Sequence, residues 1–188
     1  MGKSKHISFD IEADGSLIGT HAMISIGAVI ITPELDKTFY REIKPITDEY
    51  IPDALKVSGF TREQTLTFMD PKQAMEELED WILKNFEDTR PILWADNPGF
   101  DFAWVNWYMH KYLGRNPFGW SCRRIGDFIC GLEKDARYQW KHLRKGFKHT
   151  HNALDDAKAN AAAIMAAQEK YGVEIWSKLL SKPKVTRY

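Results

Sequence analysis

The chain has 188 residues, of which 44% are hydrophobic, 13% aromatic and 28% charged. That length suits one domain, and that composition excludes a disordered or collagen-like chain. Lys and Arg number 26, as do Asp and Glu, which excludes a generally polybasic protein and leaves any charge preference to local patches.

In chain order, residues 6–11 read as a short strand. Residues 23–31 form an apolar, β-branched run without helical period and read as a second strand; residues 38–43 read as a third. The short connections predict an antiparallel meander. Residues 53–57 and 61–66 are expected to be short helices. In residues 71–86, Ala74, Leu78, Trp81 and Ile82 fall at helical spacing and predict an amphipathic helix. A short buried strand at 91–95 precedes a helix at 99–113, and further helices are expected at 125–132, 152–171 and 173–180. Residues 1–180 thus read as a single domain, and the polar, basic residues 181–188 as a loose tail. Strands first, then strand–helix alternation, predict an α/β fold: a mixed sheet flanked by helices.

The two cysteines, Cys122 and Cys130, match no common zinc spacing and make no disulfide framework, so a reduced, cytoplasmic setting is expected. No apolar run approaches the roughly 18–20 residues of a membrane span, and no membrane association is expected.

Three acidic clusters carry the chemistry. The first is Phe9-Asp10-Ile11-Glu12. Side chains alternate along a strand, so Ile7, Phe9 and Ile11 share one face while Ser8, Asp10 and Glu12 share the other. Two like charges that close repel each other, and a cation between them relieves the repulsion. The second is Asn97-Pro98-Gly99-Phe100-Asp101, at a strand-to-helix junction. There Asp101 heads an apolar stripe of Trp104, Val105, Tyr108 and Tyr112 and needs a strong partner. The third is His151-Asn152-Ala153-Leu154-Asp155-Asp156. Asn152 is a fair N-cap. At about 100° per residue, Asp156 borders the inward face formed by Ala153, Ala157, Asn160 and Ile164, while Asp155 points away. Taken singly, each acid reads equally well as surface charge, and His151 as a loop residue.

Taken together, the D-x-E, N-x-x-F-D and H-x-A-x-x-D motifs in this order are far more specific. The chain resembles the DEDDh group of 3′–5′ exonucleases, the DnaQ-like branch of the ribonuclease H-like fold. Ile24-Ser25-Ile26-Gly27-Ala28-Val29 looks like that family's second strand, and Val57-Ser58-Gly59-Phe60-Thr61 like its turn after the third. The resemblance implies a mixed sheet with a three-stranded antiparallel meander plus parallel strands. It also implies a site for two divalent cations, Mg²⁺ or Mn²⁺, held by Asp10, Glu12, Asp101 and Asp156. In that scheme Asp10 bridges both ions, Glu12 and Asp156 hold the nucleophile-side ion, Asp101 binds the second, and His151 takes a proton from the attacking water. The histidine, rather than a tyrosine, marks the "h" subgroup. The implied activity is release of nucleoside 5′-monophosphates from single-stranded DNA or RNA, or from short oligonucleotides. The implied substrate contacts include Ala13, His21 and Met23. The chain departs from the family at Asp96, where many members have histidine before the asparagine.

Residues 136–154 contain no acid but hold Arg137, Lys141, Arg144, Lys145 and Lys148, interleaved with Tyr138, Trp140 and Phe147. Such a segment, leading into His151, suits a single strand: cations for phosphates, rings for bases. Asn97, Trp107, Lys145 and Lys148 are accordingly candidate substrate contacts. Two other readings are a non-catalytic nucleic-acid-binding module of the same fold and a hydrolase of dinucleotides or cyclic oligonucleotides. Relatives of this kind are often dimers, so the resemblance also allows a homodimer.

Overall fold

The computed structural model describes residues 5–86, 90–144, 146–173 and 175. The expected tail at 181–188, the helix at 173–180 apart from residues 173 and 175, and Lys145 lie outside the described residues. Five strands, β1 (His6–Ala13), β2 (Met23–Ile30), β3 (Thr38–Glu42), β4 (Ile92–Ala95) and β5 (Cys122–Arg124), form one sheet in the order β3-β2-β1-β4-β5. β1–β2 and β2–β3 pair antiparallel, whereas β1–β4 and β4–β5 pair parallel. The meander and the mixed sheet therefore form as read. β5 was not anticipated: Cys-Arg-Arg is short and largely polar, and it becomes a strand by pairing beside the buried β4.

Among the described residues there are six α-helices, α1 (Pro52–Val57), α2 (Arg62–Thr65), α3 (Pro71–Phe86), α4 (Asp101–Leu113), α5 (Ile125–Glu133) and α6 (Ala153–Tyr171), of which α3 to α6 pack on the sheet. Their boundaries follow local chemistry. The Asp70 carboxylate accepts the amides of Lys72 and Gln73 ahead of Pro71, starting α3. Thr61 and Gln64 form a capping box on α2. Asn152 caps α6 by accepting from Leu154 and Asp155. Gly114 ends α4 at φ 68°.

Alternation along β1 gives the sheet two different faces. Ile7, Phe9 and Ile11 join Leu78, Trp104 and Tyr108 in one core under α3 and α4. On the other side, Val29, Ile31 and Trp94 pack with Ile129, Ala157 and Ile164 of α5 and α6. Asp10 and Glu12 project toward this second side. β1 bulges between Glu12 and Ala13, and such a bulge re-aims side chains where regular pairing ends.

Cys122 and Cys130 are both free thiols. Among the described residues, no helix is long and apolar enough to cross a membrane.

Candidate active site

The three motifs meet at the carboxyl ends of the adjacent parallel strands β1 and β4. His6, Ile7 and Ser8 pair with Ile92, Leu93 and Trp94, so two further residues along each chain bring Asp10 and Asp96 side by side. Asp101 opens α4 immediately beyond. The third motif arrives because Gly27, opposite Asp10 on β2, has no side chain. A Cβ on Gly27 would lie 2.2 Å from the Leu154 amide nitrogen and 2.3 Å from the Ala153 carbonyl carbon. The first turn of α6 therefore rests directly on strand backbone. The sequence carries a signal for this, since a glycine inside an otherwise β-branched strand marks close backbone approach.

Ligand oxygens of Asp10, Glu12 and Asp156 lie within 4.8 Å of one another. Asp101 is outside that trio, yet its charge acts on both Asp10 and Glu12. Asp156 is 2% exposed while Asp155 is exposed, as the helical phase predicted. Burial, followed by the charges of Asp101, Glu12 and Asp156, raises the Asp10 carboxyl well above its ordinary range, opposed by Arg144. Burial and the charges of Asp156 and Asp101 push Glu12 up to about 8. Burial likewise pushes Asp101 up to about 7, opposed by the Asn97 amide, which donates to Asp101 Oδ2 at 3.1 Å. An all-oxygen donor set that resists ionisation when alone is balanced by hard divalent cations, so these residues fit the metal pair that the motifs imply.

The loop before α6 closes the site. His151 adopts φ 56°, a left-handed conformation uncommon outside glycine and found at functional turns. The turn directs three groups at Asp156. The His151 and Thr150 amides donate to its oxygens at 3.1 and 3.3 Å, and His149 Nδ1 lies 2.8 Å from Oδ2. His149 is the site residue that sequence reasoning missed; its ring centroid lies 4.2 Å from that of His151.

The expected substrate contacts fare unevenly. Met23 is 0% exposed, and its amide donates to the Tyr108 hydroxyl, so its side chain offers no surface to a substrate. Ala13 and His21 are each buried to 9% exposure. His21 serves the loop itself: Nδ1 accepts the Leu17 amide at 3.0 Å, and the ring fills the space a Gly15 side chain would need. Asn97 and Lys148 are exposed. Trp107 borders a shallow cleft of about 550 Å³ with Ile18 and His110, and Lys111 Nζ lies 4.7 Å above its ring.

The basic segment is less available than its composition suggested. Trp140 and Leu143, in a 3₁₀ turn over Trp140–Leu143, are core residues. Arg144 and Lys141 both pair with Asp96, at 3.1 and 2.9 Å. Arg137, Phe147 and Lys148 remain at the surface.

Comparisons with known proteins bear on the family and the fold. The family model of the 3′–5′ exoribonuclease Rv2179c-like domain matches residues 5–168. The chain is 31% identical over 170 residues to the 3′–5′ DNA exonuclease Cap18 of Escherichia coli, covering 85% of this chain and 89% of that protein. Among solved structures, the nuclease domain of 3′hExo, a DEDDh family member bound to rAMP, superposes with TM-score 0.72 at 19% identity, covering 94% of this chain and 98% of that one. The zinc-bound E. coli exonuclease I complex with single-stranded DNA gives TM-score 0.72 at 16% identity, covering 91% of this chain but 42% of that larger one. The sheet and its flanking helices are thus the ribonuclease H-like fold of the DEDDh exonucleases. The chain belongs to the Rv2179c-like 3′–5′ exoribonuclease domain family and is a 3′–5′ exonuclease.

Proposed function

We propose that residues 1–180 form one catalytic domain that removes nucleoside 5′-monophosphates from the 3′ end of single-stranded DNA or RNA, using two divalent cations, Mg²⁺ or Mn²⁺. The observation that carries this reading is the convergence of Asp10, Glu12 and Asp156 within 4.8 Å, with the Asp101 charge acting on the same group. Both sugars occur among the relatives: Cap18 is a DNA exonuclease, and 3′hExo was solved with rAMP.

Asp10, Glu12 and Asp156 would hold the cations, with Asp101 completing the set from the head of α4. Bound there, paired cations supply an activated water and charge stabilisation for the leaving 3′ oxygen. His151 accepts the proton of the attacking water, the general-base role that imidazole side chains fill most often. The amides of Thr150 and His151 fix the Asp156 carboxylate, so the acid and the base share one rigid turn. Asn97 and Lys148 are exposed and would contact the phosphates of a bound strand.

End-labelled DNA and RNA oligomers of graded length, with Mg²⁺ or Mn²⁺, test the proposal. Stepwise shortening from the 3′ end is expected, abolished in Asp10→Ala while its circular dichroism stays native. Full activity in Asp10→Ala refutes the site. Turnover confined to dinucleotides would replace the polymer substrate with a small one.

A further inference from the structure

Among the described residues, Arg144 is the only buried arginine, at 9% exposure. Its Nη2 lies 3.1 Å from Asp96 Oδ2 and 2.5 Å from Asn160 Oδ1, and its guanidinium lies 5.0 Å above the Trp140 ring. Its Nε has no hydrogen-bond partner. Burying a guanidinium is costly, and the fold places this one where its field reaches Asp10. Three elements converge on it: the end of β4 through Asp96, α6 through Asn160, and the segment that continues into His149 and His151. Asp96 directly follows β4 and precedes Asn97, whose amide donates to Asp101. Lys141 braces the same carboxylate from the exposed side.

We propose that Arg144 is a positioning residue of the nuclease site: a built-in cation, anchored by Asp96, that ties the histidine loop to the sheet and offsets part of the carboxylates' charge. The inference rests on the metal-site reading above. It has two separable consequences. As an anchor, Arg144 holds His151 in register with Asp156, so losing it lowers kcat and leaves KM little changed. As a charge, it competes with incoming divalent cations, so losing it tightens metal binding. A residue serving stability alone would loosen both.

The test is Mn²⁺ binding followed by electron paramagnetic resonance at pH 8, alongside kinetics on a single-stranded oligomer. Arg144→Met is expected to bind Mn²⁺ about threefold more tightly than wild type, while kcat falls about tenfold or more and KM stays within about twofold. Arg144→Lys keeps the charge without the planar fork, and should bind Mn²⁺ as wild type with reduced kcat. Asp96→Asn frees the anchor and also removes a negative charge that acts on Asp101, so kcat should fall while Mn²⁺ binding weakens. These last two variants decide the matter should Arg144→Met fail to fold. Native-like Arg144→Met with unchanged or weaker Mn²⁺ binding overturns the charge role, and Asp96→Asn with full kcat overturns the anchor. Wild-type protein that takes up no Mn²⁺ overturns the metal-site reading itself, and this inference with it.

Discussion

Glu12→Gln should make the metal-free protein more stable while making it inactive. Burial and the charges of Asp156 and Asp101 raise Glu12 from 4.5 to about 8. Between those values the unfolded chain has released this proton while the folded protein retains it, so stability present below pH 4.5 is lost as pH rises. The loss reaches about 4 kcal/mol at pH 8 and is only about 1 kcal/mol at pH 5. An amide does not ionise, so the variant escapes it. At the roughly 2–4 °C per kcal/mol of a domain this size, Tm in EDTA should exceed wild type by roughly 10 °C at pH 8 and by about 2 °C at pH 5. Scanning calorimetry across that range measures both gaps. Added Mg²⁺ should raise the wild-type Tm and move the variant far less. A variant no more stable than wild type at pH 8, or a gap that ignores pH, refutes the reasoning.

His151→Ala should lose about 10²–10⁴-fold in kcat while binding Mn²⁺ as wild type does; unchanged turnover removes the imidazole from the base role. Gly27→Ala forces a methyl into the backbone of α6, and should cost about 2–3 kcal/mol in urea unfolding together with most of the activity; native stability would show that the helix can shift without penalty. His6 is fully buried and accepts the Trp94 indole N–H at 2.8 Å; burial and then Arg123 lower it from 6.5 to about 4. Its contribution is therefore present above pH 6.5 and lost as pH falls toward 4. The stability difference between wild type and His6→Gln should shift by about 3 kcal/mol between pH 7 and pH 4, and parallel pH profiles would count against it.

Much of this molecule is legible residue by residue, because local rules decide it. The Ala74–Leu78–Ile82 spacing finds α3, the Asn152 cap finds α6, and helical phase separates the buried Asp156 from the exposed Asp155. Three features escape such rules. β5 has a polar sequence and exists only because β4 offers it an edge. Trp140 reads as a ring available for bases, but the 3₁₀ turn folds it against Gly126. The pairings of His149 with Asp156 and of Arg144 with Asp96 depend on how loop and sheet approach each other, which no periodicity encodes. The charge of residues 136–154 is visible in the sequence; that Lys141 and Arg144 share the Asp96 carboxylate is not.

The seam at Gly27 also bears on redesign. Where main chain lies against main chain there is no rotamer to flip and no side chain to trim, so the spacing between the first and third acidic motifs is set by the frame and not by adjustable packing. Efforts to change what this nuclease accepts should leave that seam untouched and work on exposed side chains such as Asn97 and Lys148.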